Sequence, residues 1–410
     1  MKITSLLRFV VSLILHVVAI ALVLYFFWPI AQWYIGHRPI LGVDFWNMAT
    51  LARFFRDYFE ILPRGYLDVW HAGGPVFENV IFFWYYLIGL IARIIPLISA
   101  IKYTVIASFA LLLLSVYLGC YRLSKNHLLS AAIAVLVAYS ANMYGSLIWG
   151  GSLPYFANQL FFPCALFLQI MYLQSGDKRW FWMSVIITGW AFLGHLVNAG
   201  TFVFLGSAVV LLFGSRIKKV APIERIKEIV ILFVGSYFLA YRLMLTRKIL
   251  PSLINALLSG NFLNPFGFGG KSAASVEIEA GGITVSGNAD LVAFERSRFL
   301  VVFSDSSHVL YILFGICIVL FIAAFILDRK KKSVVSLVPW IMLASFSVMH
   351  VFLNAHGVSF LSQAWYRAYW HFPITLGFLL AALWGYARRS LITVYKHAGA
   401  VLFVVGLVIG

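Results

Sequence analysis

Apolar runs of membrane-spanning length recur along the whole chain, and they constrain its fold more than any other feature. A helix that crosses a bilayer needs about 20 mostly apolar residues, because the hydrocarbon core is about 30 Å thick. Only 11% of the residues are charged and 62% are hydrophobic, whereas roughly a quarter are charged in soluble domains. The pattern predicts spans near residues 9–35, 103–121, 128–147, 154–173, 180–194, 197–214, 228–245, 306–327, 334–352, 368–386 and 392–410.

Two apolar runs need interpretation before a topology can be drawn. Residues 180–214 would form one helix of about 52 Å, which is too long for the hydrocarbon core. We therefore predict a break at "GHLVNAG" (194–200) and two short spans. Residues 79–98 are long enough to cross but contain Arg93 and Pro96. We predict that this segment is re-entrant, which requires protein or a water-filled cavity beside it.

Loop charge orients the predicted bundle, because cytoplasmic loops carry an excess of Lys and Arg. With a cytoplasmic N-terminus and a re-entrant 79–98, the inner side holds 18 of the 31 Lys/Arg but only 4 of the 14 acids. The formal charge of +17 thus reflects membrane topology and does not indicate nucleic-acid binding. The basic inner segments are "YRLSKNH" (121–127), "SGDKRW" (175–180), "SRIKKVAPIERIK" (215–227), "DRKKKS" (328–333) and "YARRS" (386–390).

An amphipathic pattern follows the first apolar run. At 100° per residue, residues 45–60 place their apolar side chains on one arc, with Arg56 at its edge. We predict an interfacial helix that lies along the membrane with this arc facing the lipid. Asp44 stands where an N-cap belongs, so capping is one explanation for it. Capping does not explain the aromatic flank or the turn "HAGGP" (71–75). The arc comprises Phe45, Met48, Ala49, Leu51, Ala52, Phe55 and Phe59.

The order of these features resembles a known superfamily. A first span, an aspartate shortly after it, an interfacial helix, and then "W…GGP" before an aromatic apolar run are similar to the GT-C glycosyltransferases. Within that superfamily the chain most resembles the bacterial and archaeal membrane proteins labelled "6-pyruvoyl-tetrahydropterin synthase-related", a label that misleads about chemistry. The likeness extends to "GSLPYFANQLFFPCALFLQ" (151–169), "WAFLGHLVNAG" (190–200) and "AWYRAYW" (364–370).

The resemblance implies an inverting membrane enzyme that uses a polyprenyl-phosphate-linked sugar as donor. It implies Asp44 as the catalytic base, which takes a proton from the acceptor as the acceptor attacks the anomeric carbon. The acceptor would be a glycan, a lipid or a protein, and it would be met at the outer face of the cell membrane. The second outer loop, "IWGGSLPYFANQ" (148–159), contains no acid, unlike the metal-dependent branch. We therefore expect no cofactor, while a divalent metal bound by Asp68, His71 and Glu78 stays an open alternative.

Basic side chains near the outer face are candidates for binding the donor phosphate. Arg367 opens a span, where an arginine either grips a phosphate or extends to lipid headgroups. His195 lies in the predicted break, where an ionisable group is a functional candidate and packing is the alternative. Arg296 and Arg298 either serve the phosphate or pair with Glu295 or lipid. The candidates for lining the cavity or the acceptor site are Trp46, Trp70, His71, Gly73, Gly74 and Glu78.

We predict one transmembrane GT-C-like domain over residues 1–410. Its first outer loop is 36–100, with the interfacial helix and the re-entrant segment, and its large outer loop is 246–305. In the large loop, residue types alternate along "SVEIEAGGITVSG" (275–287) on both sides of Gly281-Gly282. This pattern predicts a small hairpin. The chain ends inside an apolar run, as expected of a fragment of a longer protein.

Two other functions fit the same composition. A transporter or flippase of lipid-linked material would share the cavity and its arginines, although the sequence lacks paired Gly/Pro-broken helices in corresponding halves. A catalytically silent membrane scaffold would keep the fold without the reaction. An assay for sugar transfer separates both of these from an enzyme.

Overall fold

The computed structural model is helical almost throughout the part of the chain that it describes. It describes residues 2–36, 45–57, 66–67, 74–75, 83–140, 143, 153–194, 201–214, 221–244, 279–280, 283–284, 315–316, 318–326, 336–355 and 371–389. Within these ranges, the strands are two antiparallel pairs with two residues in each strand. Helices suit such an apolar chain, because a helix satisfies its backbone hydrogen bonds within one segment.

The helices and strands are numbered in chain order. The helices are α1 (Lys2–Ile35), α2 (Phe45–Asp57), α3 (Phe83–Ile91), α4 (Leu97–Ser124), α5 (His127–Tyr139), α6 (Leu153–Asn158), α7 (Phe161–Ser175), α8 (Lys178–Gly194), α9 (Thr201–Gly214), α10 (Pro222–Met244), α11 (Val338–Ala355) and α12 (Phe372–Arg389). The strands are β1 (Tyr66–Leu67), β2 (Gly74–Pro75), β3 (Glu279–Ala280) and β4 (Ile283–Thr284). Residues 318–326 are also helical.

Among the described residues, three helical segments are long and apolar enough to cross a bilayer: Phe9–Ile35, Leu97–Ser124 and Phe156–Ser175. Shorter apolar helices are found at His127–Tyr139, Phe202–Gly214, Val338–Val348 and Phe372–Arg388. These helices support a membrane-embedded α-helical protein. The number of about 11 spans stays a prediction, and the predicted last span, 392–410, lies outside the described residues.

The predicted break in the long apolar run is confirmed, because α8 ends at Gly194 and α9 begins at Thr201. The run 79–98 also divides. Its helix α3 has 9 residues, or about 13 Å at 1.5 Å per residue, and turns at residues 92–96 separate it from α4. A helix of this length does not cross the hydrocarbon core. The re-entrant path itself stays a prediction.

Helix α4 is the centre of the described bundle and packs against α1, α5, α7 and α12. Its contact with α12 is close at Gly119, where an added Cβ would lie 2.5 Å from the ring of Phe378. Helix α1 touches the bundle along one stripe only, and most of its other apolar side chains are exposed. The buried stripe consists of Ala19, Val23, Phe27, Ile30, Ala31 and Tyr34.

The carboxyl end of α1 is held by a buried lysine of α4. Lys102 donates from Nζ to the backbone oxygens of Ile35 at 3.2 Å and Gly36 at 2.6 Å. A cation is favourable there, because the last carbonyl groups of a helix have no intrahelical partner and carry partial negative charge. This contact fixes where α1 ends and where the loop towards Asp44 begins.

Basic segments meet at the opposite end of the bundle. Arg388 donates from Nη1 to the backbone oxygen of Lys125 at 3.1 Å. Gln174, next to the basic turn after α7, donates to the backbone oxygen of Arg122 at 3.3 Å. The topology predicted from the charges of the loops requires these basic segments to lie at the same end of the bundle. The side of the membrane on which that end lies stays a prediction.

The small hairpin of the large loop is formed as predicted. Strand β3 pairs antiparallel with β4, with Glu279 opposite Thr284 and Ala280 opposite Ile283. The two residues between the strands are Gly281 and Gly282. A two-residue loop of this kind favours glycine, because its backbone often needs a positive φ.

Candidate functional site

The helical segment that joins α6 to α7 is wound more tightly than an α-helix. Gln159 N donates to Phe156 O at 3.1 Å, Leu160 N to Ala157 O at 3.3 Å, and Phe162 N to Gln159 O at 3.2 Å. Each of these hydrogen bonds joins two residues that are three positions apart, as in a 3₁₀-helix. A 3₁₀ stretch inside a helix often marks strain or a functional hinge. The tightened turn orients the side chains of residues 158–162 towards several neighbouring elements.

Asn158 connects this turn to α3 and α8. Its side-chain Oδ1 accepts from Trp84 Nε1 at 3.2 Å, and its Nδ2 donates to the backbone oxygen of Ala191 at 3.0 Å. Asn158 is fully buried. The Ala191 carbonyl belongs to the last turn of α8, whose oxygens lack intrahelical donors. One carboxamide therefore satisfies two buried groups from separate helices.

Gly194 allows this approach at the end of α8. A Cβ at residue 194 would lie 2.7 Å from Asn158 Cγ and 2.9 Å from Trp84 Nε1. Any larger residue would have to displace the Asn158–Trp84 pair. The first glycine of "GHLVNAG", Gly194, is thus required by packing.

The aromatic residues after the turn reach two further elements. Phe161 stacks on Trp84 with ring centroids 5.7 Å apart. Phe162 meets the ring of His371 edge-on at 5.0 Å, and Phe202 of α9 lies 4.9 Å from the same ring. We call this group of side chains the junction; it comprises Trp84, Asn158, Gln159, Phe161, Phe162, Phe202 and His371.

Gln159 is the unusual member of the junction. It is fully buried, yet neither its Oε1 nor its Nε2 has a hydrogen-bond partner among the residues that the structure describes. A buried polar group left without a partner costs about 1–3 kcal/mol. Most buried polar groups are therefore paired, and each exception needs an explanation. Gln159 offers an NH₂ donor group and a carbonyl acceptor that the described residues do not use.

Helix α2 is joined to the junction through α3. Gly89 of α3 lets the two backbones approach, because a Cβ there would lie 2.6 Å from Phe55 Cβ and 3.0 Å from Ala52 O. Arg93 adds a hydrogen bond from Nε to the Arg56 carbonyl at 3.1 Å. Trp84 lies five residues before Gly89 on the same helix, so α3 connects α2 directly to Asn158.

The environment of α2 differs in part from the sequence prediction. The helix is present at Phe45–Asp57, and its apolar arc is the buried one. Ala49, Leu51, Ala52 and Phe55 are buried against protein, chiefly α3, rather than resting on lipid. Amphipathic periodicity identifies the buried face but does not distinguish lipid from a neighbouring helix.

The exposed side of α2 carries ion pairs. Arg56 Nε lies 2.8 Å from Asp57 Oδ1, and Arg53 Nε lies 3.5 Å from Asp57 Oδ2. The hydrogen bond from Arg56, with a smaller contribution from Arg53, holds the pKa of Asp57 below its ordinary value. Such exposed pairs contribute little to stability, so the docking of α2 depends on its apolar contacts.

Most of the residues predicted to form the site lie outside the described residues. Two of them belong to described elements by their backbones, Trp46 in α2 and Gly74 in β2. In sequence, Asp44 directly precedes α2, and His195 directly follows α8. The residues outside the described ranges are Asp44, Asp68, Trp70, His71, Gly73, Glu78, His195, Arg296, Arg298 and Arg367.

The junction nevertheless joins segments on which the resemblance rests. Trp84 comes from the aromatic run after "HAGGP", Asn158 and Phe162 from "GSLPYFANQLFFPC", and Ala191 and Gly194 from "WAFLGHLVNAG". His371 directly follows "AWYRAYW". Asn158 and Gln159 are not among the site residues predicted from the sequence, although two adjacent carboxamides inside an apolar run are a usable signal.

A second polar cluster lies near the basic end of the bundle. The Tyr117 hydroxyl lies 2.8 Å from His16 Nδ1 and 3.1 Å from His127 Nδ1. Tyr121 packs beside both imidazoles, 4.4 Å from the ring of His16 and 4.3 Å from that of His127. Among the residues described, no group of three or more His, Cys, Asp or Glu could hold a metal ion.

An ion pair on α10, in which Arg225 is buried and Glu228 is half-buried, has a tyrosine as a third member. Arg225 Nη1 lies 2.5 Å from Glu228 Oε2, and the Tyr172 hydroxyl of α7 donates to Glu228 Oε1. The Arg225 guanidinium also lies over the Tyr172 ring, 5.4 Å from its centroid. These contacts attach α10 to α7 at the end where the basic segments lie.

Comparison of the whole chain with protein-family models and with curated proteins gives no match.

Proposed function

We propose that the protein is a membrane glycosyltransferase of the GT-C type that moves a sugar from a polyprenyl-phosphate carrier to an acceptor at the outer face of the membrane. The supporting observation is the junction. It joins the aromatic run after "HAGGP", the "GSLPYFANQ" segment and the end of α8 around one tightened turn. These are segments that carry the resemblance, and in sequence they are widely separated.

In this proposal Asp44 is the general base. Its carboxylate takes the proton of an acceptor hydroxyl or amide while the acceptor atom forms a bond to the anomeric carbon. The bond from that carbon to the carrier's phosphate oxygen breaks, and the phosphate leaves with the electron pair. The configuration at the anomeric carbon is inverted. A positioned base of this kind contributes on the order of 10²–10⁴-fold to the rate.

The leaving phosphate needs positive charge rather than a proton. Arg367 is the first candidate, because a guanidinium binds phosphate through two parallel hydrogen bonds. His195, Arg296 and Arg298 are the further candidates. Helix α2 supports the base, since the close contact at Gly89 holds the helix that begins directly after Asp44.

The experiment is a transfer assay with the purified full chain in lipid nanodiscs. It is offered a panel of polyprenyl phosphates that each carry one radiolabelled monosaccharide, together with glycan, lipid and peptide acceptors. We expect label to move to one acceptor class, and Asp44→Asn to abolish that transfer. Movement of labelled carrier between leaflets without sugar transfer would identify a flippase instead.

A further inference from the structure

We propose that the Gln159 carboxamide binds a neutral, hydroxyl-bearing part of the substrate, namely the sugar of the donor. This inference rests on the proposed function and adds a substrate-contacting residue to it. Gln159 lies in the 3₁₀ turn at the centre of the junction, and its backbone is fixed there by the hydrogen bonds to Phe156 and Phe162.

The first step is the unused hydrogen-bonding capacity of Gln159. Both polar atoms of its side chain are buried and have no partner in the described part of the chain. Its neighbour Asn158 is equally buried but fully engaged with Trp84 and Ala191. Two adjacent carboxamides in one turn thus differ: one holds helices together, and the other is available to a ligand.

The second step concerns the chemistry of that ligand. A carboxamide presents an N–H donor and a C=O acceptor side by side. A hydroxyl group both donates and accepts, so hydroxyls satisfy the two atoms of Gln159 together. A phosphate only accepts, and its oxygens would repel Oε1.

The third step concerns charge around the junction. The side chains shown to contact one another there are Trp84, Asn158, Phe161, Phe162, Phe202 and His371. No Lys or Arg takes part in these contacts. Aromatic rings and amides without a fixed cation offer no counter-charge to an anion, whereas a neutral small molecule needs none. The junction therefore suits the sugar, and the phosphate belongs to the arginines of the outer loops.

The test uses Gln159→Met, which keeps the length of the side chain and removes both polar atoms. Gln169→Met is the matched control, because Gln169 is also fully buried on α7 and lies ten residues, or about 15 Å, further along. The probes are a polyprenyl phosphate that carries a single sugar and the same polyprenyl phosphate without sugar. The readout is the rise in Tm of the purified protein as each probe is titrated.

We expect the Tm of probe-free Gln159→Met to equal or exceed that of the wild type, since two unpaired buried atoms are removed. We expect its apparent affinity for the glycosylated probe to fall about tenfold or more, with the sugar-free probe unaffected. Gln169→Met should keep the wild-type response to both probes.

Three outcomes with the Gln159→Met variant would overturn the inference. A Gln159→Met protein that is destabilised or does not fold would make Gln159 a structural residue. An equal loss of affinity for both probes would mean that Gln159 contacts the carrier rather than the sugar. An unchanged preference for the glycosylated probe would remove Gln159 from the site and leave the proposed function standing. If no glycosylated probe stabilises the wild type, the proposed function fails as well.

Discussion

Trp84 donates its indole N–H to the side-chain oxygen of Asn158 across 3.2 Å, and the two residues are 74 positions apart in sequence. Both are buried. The bond joins the short helix α3 to the turn between α6 and α7, and Asn158 extends it to α8 through Ala191. A single polar side chain thereby fixes the positions of three helical segments relative to one another.

Replacing Asn158 by alanine should destabilise the protein, because it leaves the Trp84 N–H and the Ala191 carbonyl buried without partners. We expect a loss of about 1–3 kcal/mol in the free energy of unfolding, measured by reversible denaturation in mixed micelles. A double-mutant cycle with Trp84→Phe should give a coupling energy of roughly 0.6–1.7 kcal/mol. A coupling energy of zero would show that the indole–carboxamide bond contributes nothing.

Gly89→Ala should displace α2, because the added methyl group meets Phe55 Cβ and the backbone atoms Ala52 O and Arg56 N, all within 3.0 Å. Backbone atoms cannot turn aside, so the helices must separate. We expect a loss of about 1–3 kcal/mol and a larger relative loss of sugar transfer, since Asp44 precedes α2. Gly315→Ala is the control, because nothing lies within 4 Å of its added Cβ. Equal activity of the two variants would contradict this role of α2.

The two ion pairs of α10 should differ greatly in their effect on stability. Arg225 is 2% exposed beside Glu228 at 18%, whereas Lys227 and Glu224 are 61% and 52% exposed. Glu228→Gln leaves a buried guanidinium without its counter-charge, and breaking a buried pair in this way costs about 3–5 kcal/mol. Glu224→Gln should cost about 0–1 kcal/mol. Thermal unfolding of both variants measures the contrast, which would vanish if water reached Arg225.

Asp44→Asn separates catalysis from helix capping, because asparagine caps a helix about as well as aspartate but does not accept the proton. We expect the rate of sugar transfer to fall at least about a hundredfold, with Tm and donor binding unchanged. Asp57→Asn on the exposed side of α2 is the control and should keep most of the activity. An Asp44→Asn enzyme that turned over normally would leave Asp44 as a cap only.

Cysteine labelling in whole cells should place the two ends of the bundle on opposite sides of the membrane. Ile94 is 87% exposed in the turn before α4, and the Arg179 side chain is 89% exposed at the start of α8. In a background without the native cysteines, Ile94→Cys should react with an impermeant maleimide from outside. Arg179→Cys should react only after the cells are permeabilised. The reverse pattern would invert the predicted topology.

The sequence was informative where a single segment carries the signal. The 35-residue run around His195 could not be one helix of ordinary length, and Gly281-Gly282 between alternating residues indicated a hairpin. Both predictions are confirmed. The face of α2 was identified correctly, but its partner was not, because periodicity shows which side is apolar and not what covers it.

The junction was harder to predict, since its contacts join residues far apart in the chain. Asn158 and Gln159 appear in the sequence as two amides in an apolar run, and no local rule indicates that one pairs with Trp84 while the other stays unpaired. The predicted role of Asp44 depends on the resemblance alone, and it stays a prediction.

Lys102 has a consequence for where along the bundle axis the segment towards Asp44 begins. Helix α1 packs on its neighbours along a stripe that is apolar apart from His16, and apolar contacts oppose sliding along the axis less specifically than hydrogen bonds do. The two hydrogen bonds from Lys102 to Ile35 and Gly36 oppose such sliding, because a shift of one turn, about 5.4 Å, would break both. Together with the His16–Tyr117 hydrogen bond, Lys102 therefore sets the height along the bundle at which the chain leaves α1, eight residues before Asp44. A buried lysine of α4 is thus an axial reference for the segment that follows α1.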